Sequence, residues 1–322
     1  MRFRLFDPGN MHVIATFGAN LSHTLQGHYG LSVAPDRLVV DGVTKGDGAQ
    51  TSFGEIDQWL VRYPGHLRVA GPSPAEWGSL FARSSRADAD VIAIVSSSRL
   101  GSSYAEACAA AARSEDPSSQ AARVAVVDTR ATDVAAALLT LVAAEGMRAR
   151  APTALVLQTL ELLARRMTFA WVAPSLRHLT MSGYRSTLQS SPTDASELKL
   201  ILGLANGEVR VLGRVPTESD PAHELLNHAV KVAAKTTKLW VGVAHSGQPV
   251  GALHLEEQLR RRLPVEFAYR RTLAATSYVY LGPGALALAL VPLDDLPWTP
   301  PPPPDFSETR RPTRRARSLI PE

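Results

Sequence analysis

The sequence predicts an α/β protein made of two α/β domains with mostly parallel, helix-covered sheets. Three observations carry this. Strand and helix signals alternate from residue 91 to 146, the pattern of a parallel sheet covered on both faces. Val91–Val95 (VIAIV) is a continuous apolar run, the mark of a strand with no wet side. The chain of 322 residues, 45% hydrophobic and 20% charged, is long enough for two ordinary globular domains. Arg148–Pro152 reads as the crossing between them, so the expected division is 11–150, 151–297 and a disordered Pro/Arg-rich tail over 298–322.

Taken in order, His12–Thr16 is a short apolar strand with Phe17-Gly18-Ala19-Asn20 as its loop. A helix over 21–29 closes at Gly30, and Leu31–Pro35 and Arg37–Asp41 are short strands punctuated by Gly42, Gly46 and Gly48. Ser52 with Glu55 three residues on is a capping-box pattern, opening a helix that Pro64-Gly65 ends. Leu67–Ala70 is extended, and Pro74 stands in the first turn of a helix to about Ser84, where its missing N–H costs nothing.

Strand 91–95 then meets a loop of Ser, Arg, Leu and Gly and an alanine-rich helix. Ser103 and Glu106 mark that helix's start. Free N–H groups and the helix dipole favour an anion there, so the hydroxyls of Ser97, Ser98, Ser102 and Ser103 could hold a carboxylate or phosphate, although these residues alone favour the plainer reading. That plainer reading is that the serines only cap a helix and shape a turn. Arg123–Asp128 is another buried strand, and Thr132 is read as the cap of a helix ending at Gly146.

In the second half, Thr153 is read as the cap of a helix to about Arg166, followed by a strand over Phe169–Ala173 stopped by Pro174. Ser182–Ala195 is a polar surface excursion. Asn206-Gly207 between two apolar runs is a tight-turn hairpin signal, because both residues accept positive φ. Helix 221–235, strand 239–244, helix 248–262 and strand 264–269 follow, then Ser277–Leu281, a Gly282-Pro283-Gly284 turn and apolar Ala285–Val291.

Composition narrows the function classes. Net charge is +4, of which +2 lies in residues 299–322, and no basic stripe with interleaved aromatics points to nucleic acid. The one cysteine, Cys108, excludes internal disulfides and reads as a small buried hydrophobe. No apolar run approaches the ~20 residues of a membrane span, and the N-terminal segment, interrupted by Pro8 and Gly9, does not read as a signal peptide; a cytoplasmic protein is expected. His223 and His228 superficially resemble a zincin helix, but with Asn227 at the required position the two rings cannot share one metal. No cofactor is expected.

Ser97–Tyr104 (SSRLGSSY) resembles the Ser-Ser-x-Leu-Ser-Gly-Thr-Tyr loop of the DegV-type fatty-acid-binding proteins. Val69–Trp77 (VAGPSPAEW), Val124–Thr129 (VAVVDT), the Leu198–Val215 hairpin and Tyr280–Leu286 (YLGPGAL) are similar to further segments of that family, in the correct order. The resemblance implies a ligand site between the two domains, a long-chain fatty acid or acyl phosphate as ligand, and a fatty acid kinase subunit as partner. It implies a carrier without chemistry of its own, with Ser97, Ser98 and Ser103 as head-group contacts.

The departures are as informative. Gly101-Ser102 reverses the family's Ser-Gly, Val69 replaces a head-group Thr, and Tyr280 replaces a His. Ser182-Gly183-Tyr184-Arg185 stands where the family has Gly-Gly-Arg-Ile, and Phe17-Gly18 stands loosely where it has Asp-Ser. A charge-assisted contact is worth roughly 1.5–3 kcal/mol, so these changes weaken acid binding unless Arg185, Arg99 or the Tyr280 hydroxyl takes over. A divergent paralogue acting as an interaction or regulatory protein is the alternative. A serine hydrolase with Ser103 in Gly101–Ala105 and His245 or His254 as base is a further one, although the serine stands too far from its strand for a nucleophile elbow.

Overall fold

A computed structural model describes residues 11–85, 89–114, 123–182 and 198–304. In the first half, β1 (Met11–Thr16) passes through a single 3-10 turn at Phe17–Ala19 into α1 (His23–Tyr29). Then come β2 (Ser32–Ala34), β3 (Arg37–Val40), β4 (Val43–Asp47), α2 (Phe53–Arg62), β5 (Leu67–Ala70) and α3 (Pro74–Ser84). They lead to β6 (Asp90–Val95), α4 (Ser103–Ser114), β7 (Val124–Asp128) and α5 (Asp133–Arg148).

The second half holds α6 (Thr153–Arg166), β8 (Thr168–Val172), α7 (Arg177–Met181), β9 (Leu198–Ala205), β10 (Glu208–Pro216) and α8 (Pro221–Val232). It closes with β11 (Leu239–His245), α9 (Pro249–Arg262), β12 (Val265–Thr272), α10 (Ala275–Leu281) and β13 (Leu286–Pro292). The capping boxes at Ser52/Glu55 and Ser73/Glu76 form reciprocally. Asn206 and Gly207 adopt φ of 52° and 82°, the left-handed pair that a two-residue hairpin turn needs.

The first sheet, ordered β2-β1-β6-β7, is parallel throughout. The second, ordered β10-β9-β8-β13-β11-β12, departs from the mostly parallel expectation: only β11 and β12 run parallel. Connection length accounts for part of this, and the insertion of β13 between β8 and β11 for the rest. A two-residue turn joins only antiparallel neighbours, as at β9–β10, whereas β11 reaches β12 through a full helical crossover. A small antiparallel sheet, β4-β3-β5, completes the set. Its strand β4, mostly exposed and glycine-containing, reads in the sequence only as turns.

These sheets stack in layers. Helices α3 and α4 cover the outer face of the first sheet through Trp77, Phe81, Ala107 and Ala110 against Ile14, Val91, Ala93 and Val95. Helices α8 and α9 cover the outer face of the second through Leu225, Leu255 and Leu259 against Val241, Leu286 and Leu288. Between the two sheets lies α5, with every residue from Asp133 to Gly146 buried. It packs on β1 and β6 on one side and on β11, β12 and β13 on the other. A helix that is apolar all round has to be enclosed in this way. Small residues let it close in: a Cβ on Gly242 would come within 2.9 Å of Val134. None of the helices among the described residues is long and apolar enough to cross a membrane.

Several local readings are corrected. Ser103 is not a cap but the first residue of α4, and its hydroxyl turns to Asp36 instead. Thr132 precedes α5 without capping it, its hydroxyl pairing with Ser277 at 3.2 Å. Thr153 is likewise inside α6 rather than ahead of it. Ser277–Leu281 belongs to helix α10, and Cys108 is half-buried. Trp298, where a disordered tail was expected to begin, is tied to α6 by the two bonds its backbone makes with the Thr159 hydroxyl, and residues 299–304 follow without regular secondary structure. The rest of the tail and most of the 182–195 excursion, Arg185 included, lie outside the described residues.

Candidate functional site between the two sheets

Helix α1 follows β1 on the inner face of the first sheet, with Leu25 and Tyr29 in the central core, whereas α4 follows β6 on the outer face. The chain therefore leaves two neighbouring parallel strands in opposite directions. A crevice at the carboxyl ends of β1 and β6 results, the usual ligand position in open α/β sheets. A pocket occupies it. The first half contributes Gly18, Asp36, Val69, Ser97 and Ser103, and α10 of the second half closes it with Thr276 and Tyr280. The open interior is about 20 Å³, room for one water-sized group.

The expected head-group serines separate here. Ser97 lines the pocket and is buried, but its hydroxyl donates to the Gly207 carbonyl in the β9–β10 turn at 3.1 Å. A Cβ at Gly207 would stand 2.4 Å from that hydroxyl, so the glycine lets the hairpin tip reach the loop. Ser98 is turned outward, donating to Asp128 from its hydroxyl at 2.6 Å and from its backbone at 3.2 Å. Ser103 lines the pocket and donates to Asp36 at 3.2 Å. Arg99 is exposed and points at Glu208, 3.9 Å away. Tyr280 and Val69, both family departures, face the pocket, and the Tyr280 hydroxyl donates to the Leu100 carbonyl at 2.9 Å.

The residue that sequence reasoning missed is Asp36. It follows Pro35 in the link from β2 to β3 and is 3% exposed. Its carboxylate accepts from the Gly18 backbone N–H at 2.7 Å and from Ser103 at the start of α4. The anion expected at this helix N-terminus is thus supplied by the chain itself. Gly18 makes the room: a Cβ there would stand 3.1 Å from the Asp36 carboxylate and 2.8 Å from the Ser96 hydroxyl. Burial pushes the Asp36 carboxyl up to about 6, against the pull of its two donors and of Arg37. Thr276 was also missed; its hydroxyl is buried in the pocket with no partner. An acid after a proline and a threonine before an apolar run carry no signal that separates them from ordinary turn residues.

A second buried aspartate, Asp133, stands at the start of α5 with φ of +54°. It accepts from Asn20 at 2.9 Å, from the Val134 N–H at 3.0 Å and from the Ala274 N–H at 2.9 Å. Asn20 also donates to the Thr272 carbonyl at 2.8 Å, so this cluster joins the two halves. A third junction joins Asp57 on α2 to His178 at 2.8 Å and to the Tyr278 hydroxyl at 3.1 Å.

A family model described as "uncharacterised protein, DegV family" matches residues 11–293. A DegV domain-containing protein of Deinococcus radiodurans is 24% identical over 265 residues, 82% of this chain and 92% of that protein. Among solved structures, a fatty-acid-binding DegV family protein from Thermus thermophilus superimposes with a TM-score of 0.78 at 24% identity, covering 88% of this chain and all of that one. A stearic-acid-binding protein from Eubacterium ventriosum gives 0.75 at 17% identity, over 88% of this chain and 98% of that one. DegV of Bacillus subtilis, a fatty acid binding protein, gives 0.71 at 20%, over 88% and 99%. At these identities the likeness is one of fold.

Proposed function

Because this chain belongs to the DegV family, we propose that it is a non-enzymatic lipid-binding protein that holds the head group of a long-chain acyl lipid in the pocket between its two sheets. One observation carries the reading. The 69–77, 97–104 and 280–286 segments, remote in sequence and each similar to the family's, meet at a single pocket at the switch point between β1 and β6. Asp36, Ser96, Ser97, Ser103, Thr132, Thr276 and Tyr280 are its polar lining, with Leu100 and Val69 as apolar wall. Ser98 is left out of the head-group set because it faces Asp128. Presentation of the head group to a partner kinase belongs to the same reading, and the exposed Ser98, Arg99 and Gly101 beside the pocket give such a partner a place to approach.

The test is native mass spectrometry of the purified protein, with organic extraction of what co-purifies. A stoichiometric acyl-chain mass supports the carrier. One observation favours a second reading, an interaction protein on a retained fold: an interior of about 20 Å³ holds a water but no acyl chain until the halves part. A protein that purifies empty and takes up no added lipid would establish that second reading.

A further inference from the structure

Resting on the lipid reading above, we propose that the pocket selects a neutral, hydroxyl-bearing head group, such as that of a long-chain alcohol, and that Asp36 is the residue that rejects ionised acids. The geometry is specific. Asp36 has two donors for two carboxylate oxygens, Gly18 and Ser103, and so keeps acceptor capacity toward the pocket. On the other side stands the unpartnered hydroxyl of Thr276, itself 3% exposed. The two converge on the space above Gly18: a Cβ placed there would stand 3.1 Å from an Asp36 oxygen and 3.6 Å from the Thr276 hydroxyl, with the Ser96 hydroxyl at 2.8 Å as the third wall. A ligand O–H donates to the first and accepts from the second, satisfying both.

A carboxylate can only accept. It would leave two like charges facing each other in a buried site, where their repulsion is poorly screened. A phosphate would add still more negative charge facing Asp36. A free acid therefore enters only with a proton shared between it and Asp36. The other groups around Asp36 do not offset its charge from within the pocket. Arg37 is bound to Glu76 on α3, Asp47 on β4 adds negative charge, and Ser96 just after β6, Ser103 on α4, Thr132 ahead of α5 and Thr276 and Tyr280 on α10 are all uncharged.

The experiment uses the full-length chain, with dodecan-1-ol and dodecanoate as probes, titrated calorimetrically from pH 8 to pH 5. Dodecanol is expected to bind with little pH dependence. Dodecanoate is expected to bind at least tenfold more weakly at pH 8, to gain about tenfold per pH unit down to about 6, and to take up one proton on binding. Asp36→Asn removes the slope and raises dodecanoate affinity at pH 8 at least tenfold. Equal affinities for both probes at pH 8, without proton uptake, would overturn the proposal while leaving the lipid reading intact. No binding of either probe at any pH would overturn both. The wild-type comparison stands without the variant, so a misfolded Asp36→Asn protein does not decide the matter.

Discussion

Asp36 and Asp133 are both buried carboxylates at the start of a helix, one beside α4 and one opening α5, and burial pushes both upward. They differ in what surrounds them. Asp133 is saturated by Asn20, Val134, Ala274 and the Ser277 hydroxyl, with donors from both halves of the molecule. Asp36 has two donors, both from the first half, and faces a space with an idle hydroxyl across it. A buried charge with every lone pair engaged is a joint. A buried charge with capacity left over, beside an unpaired partner, is where a ligand completes the set.

The contrast is broken most severely at the joint. Asp133→Ala strands buried donors on both halves and puts alanine at a positive φ, at a cost of roughly 3–5 kcal/mol, measurable by urea denaturation; a cost below about 1 kcal/mol would deny it the role of a joint. Next comes the hairpin contact. Gly207→Ala places a methyl against the Ser97 hydroxyl at φ of 82° and should cost about 2 kcal/mol, read as a lowered Tm. An unchanged Tm would show that the hairpin tip does not hold the loop.

Asp36→Asn should act in the opposite direction. The carboxyl is raised from 3.8 to about 6 in the folded protein. Its protonation therefore favours the fold fully below pH 4, and that contribution is lost as pH rises through 6. Asparagine has no charge to desolvate, so the variant should be more stable than the parent at pH 8 by about 2 kcal/mol, with the gain fading towards pH 4. A gain of the same size at both pH values would remove the desolvated charge as its cause. The smallest effects separate the two neighbouring serines. Ser97→Ala should cost about 1 kcal/mol through its buried bond to Gly207, and Ser98→Ala, on the surface, under about 0.5 kcal/mol. The reverse order would mean that Ser98 is the inward hydroxyl.

Much of this was legible in the sequence where a residue pattern has one physical outcome. The buried run of β6, the capping box of Ser52 and Glu55 and the Asn206-Gly207 turn were each fixed by local chemistry, whereas the box at Ser73 and Glu76 went unread. Strand direction in the second sheet was not, because β13 inserts between β8 and β11 from the far end of the chain, and such pairing leaves no mark in any one segment. The same limit applied to the site. Ser97, Ser103, Val69 and Tyr280 were found because neighbouring motifs drew attention to them. Asp36 was not, because its meaning depends on Gly18, Ser103 and Thr276, contributed by three other elements. Three hydroxyls read as helix caps (Ser103, Thr132 and Thr153) lie elsewhere in the hydrogen-bond pattern, since a tertiary partner or a one-residue shift of the helix start outweighs a local preference.

The enclosure of α5 has a consequence for synthesis. Its residues leave the ribosome well before Leu239–Pro292, yet β11, β12 and β13 cover one of its sides. Until those strands arrive, an apolar helix rich in Ala, Leu and Val has only the first sheet and α6 to lie on. The nascent chain thus carries an uncovered apolar face for about a hundred residues of elongation, several seconds or more at typical rates. A chain cut short ahead of β11 should aggregate rather than persist as a folded N-terminal fragment.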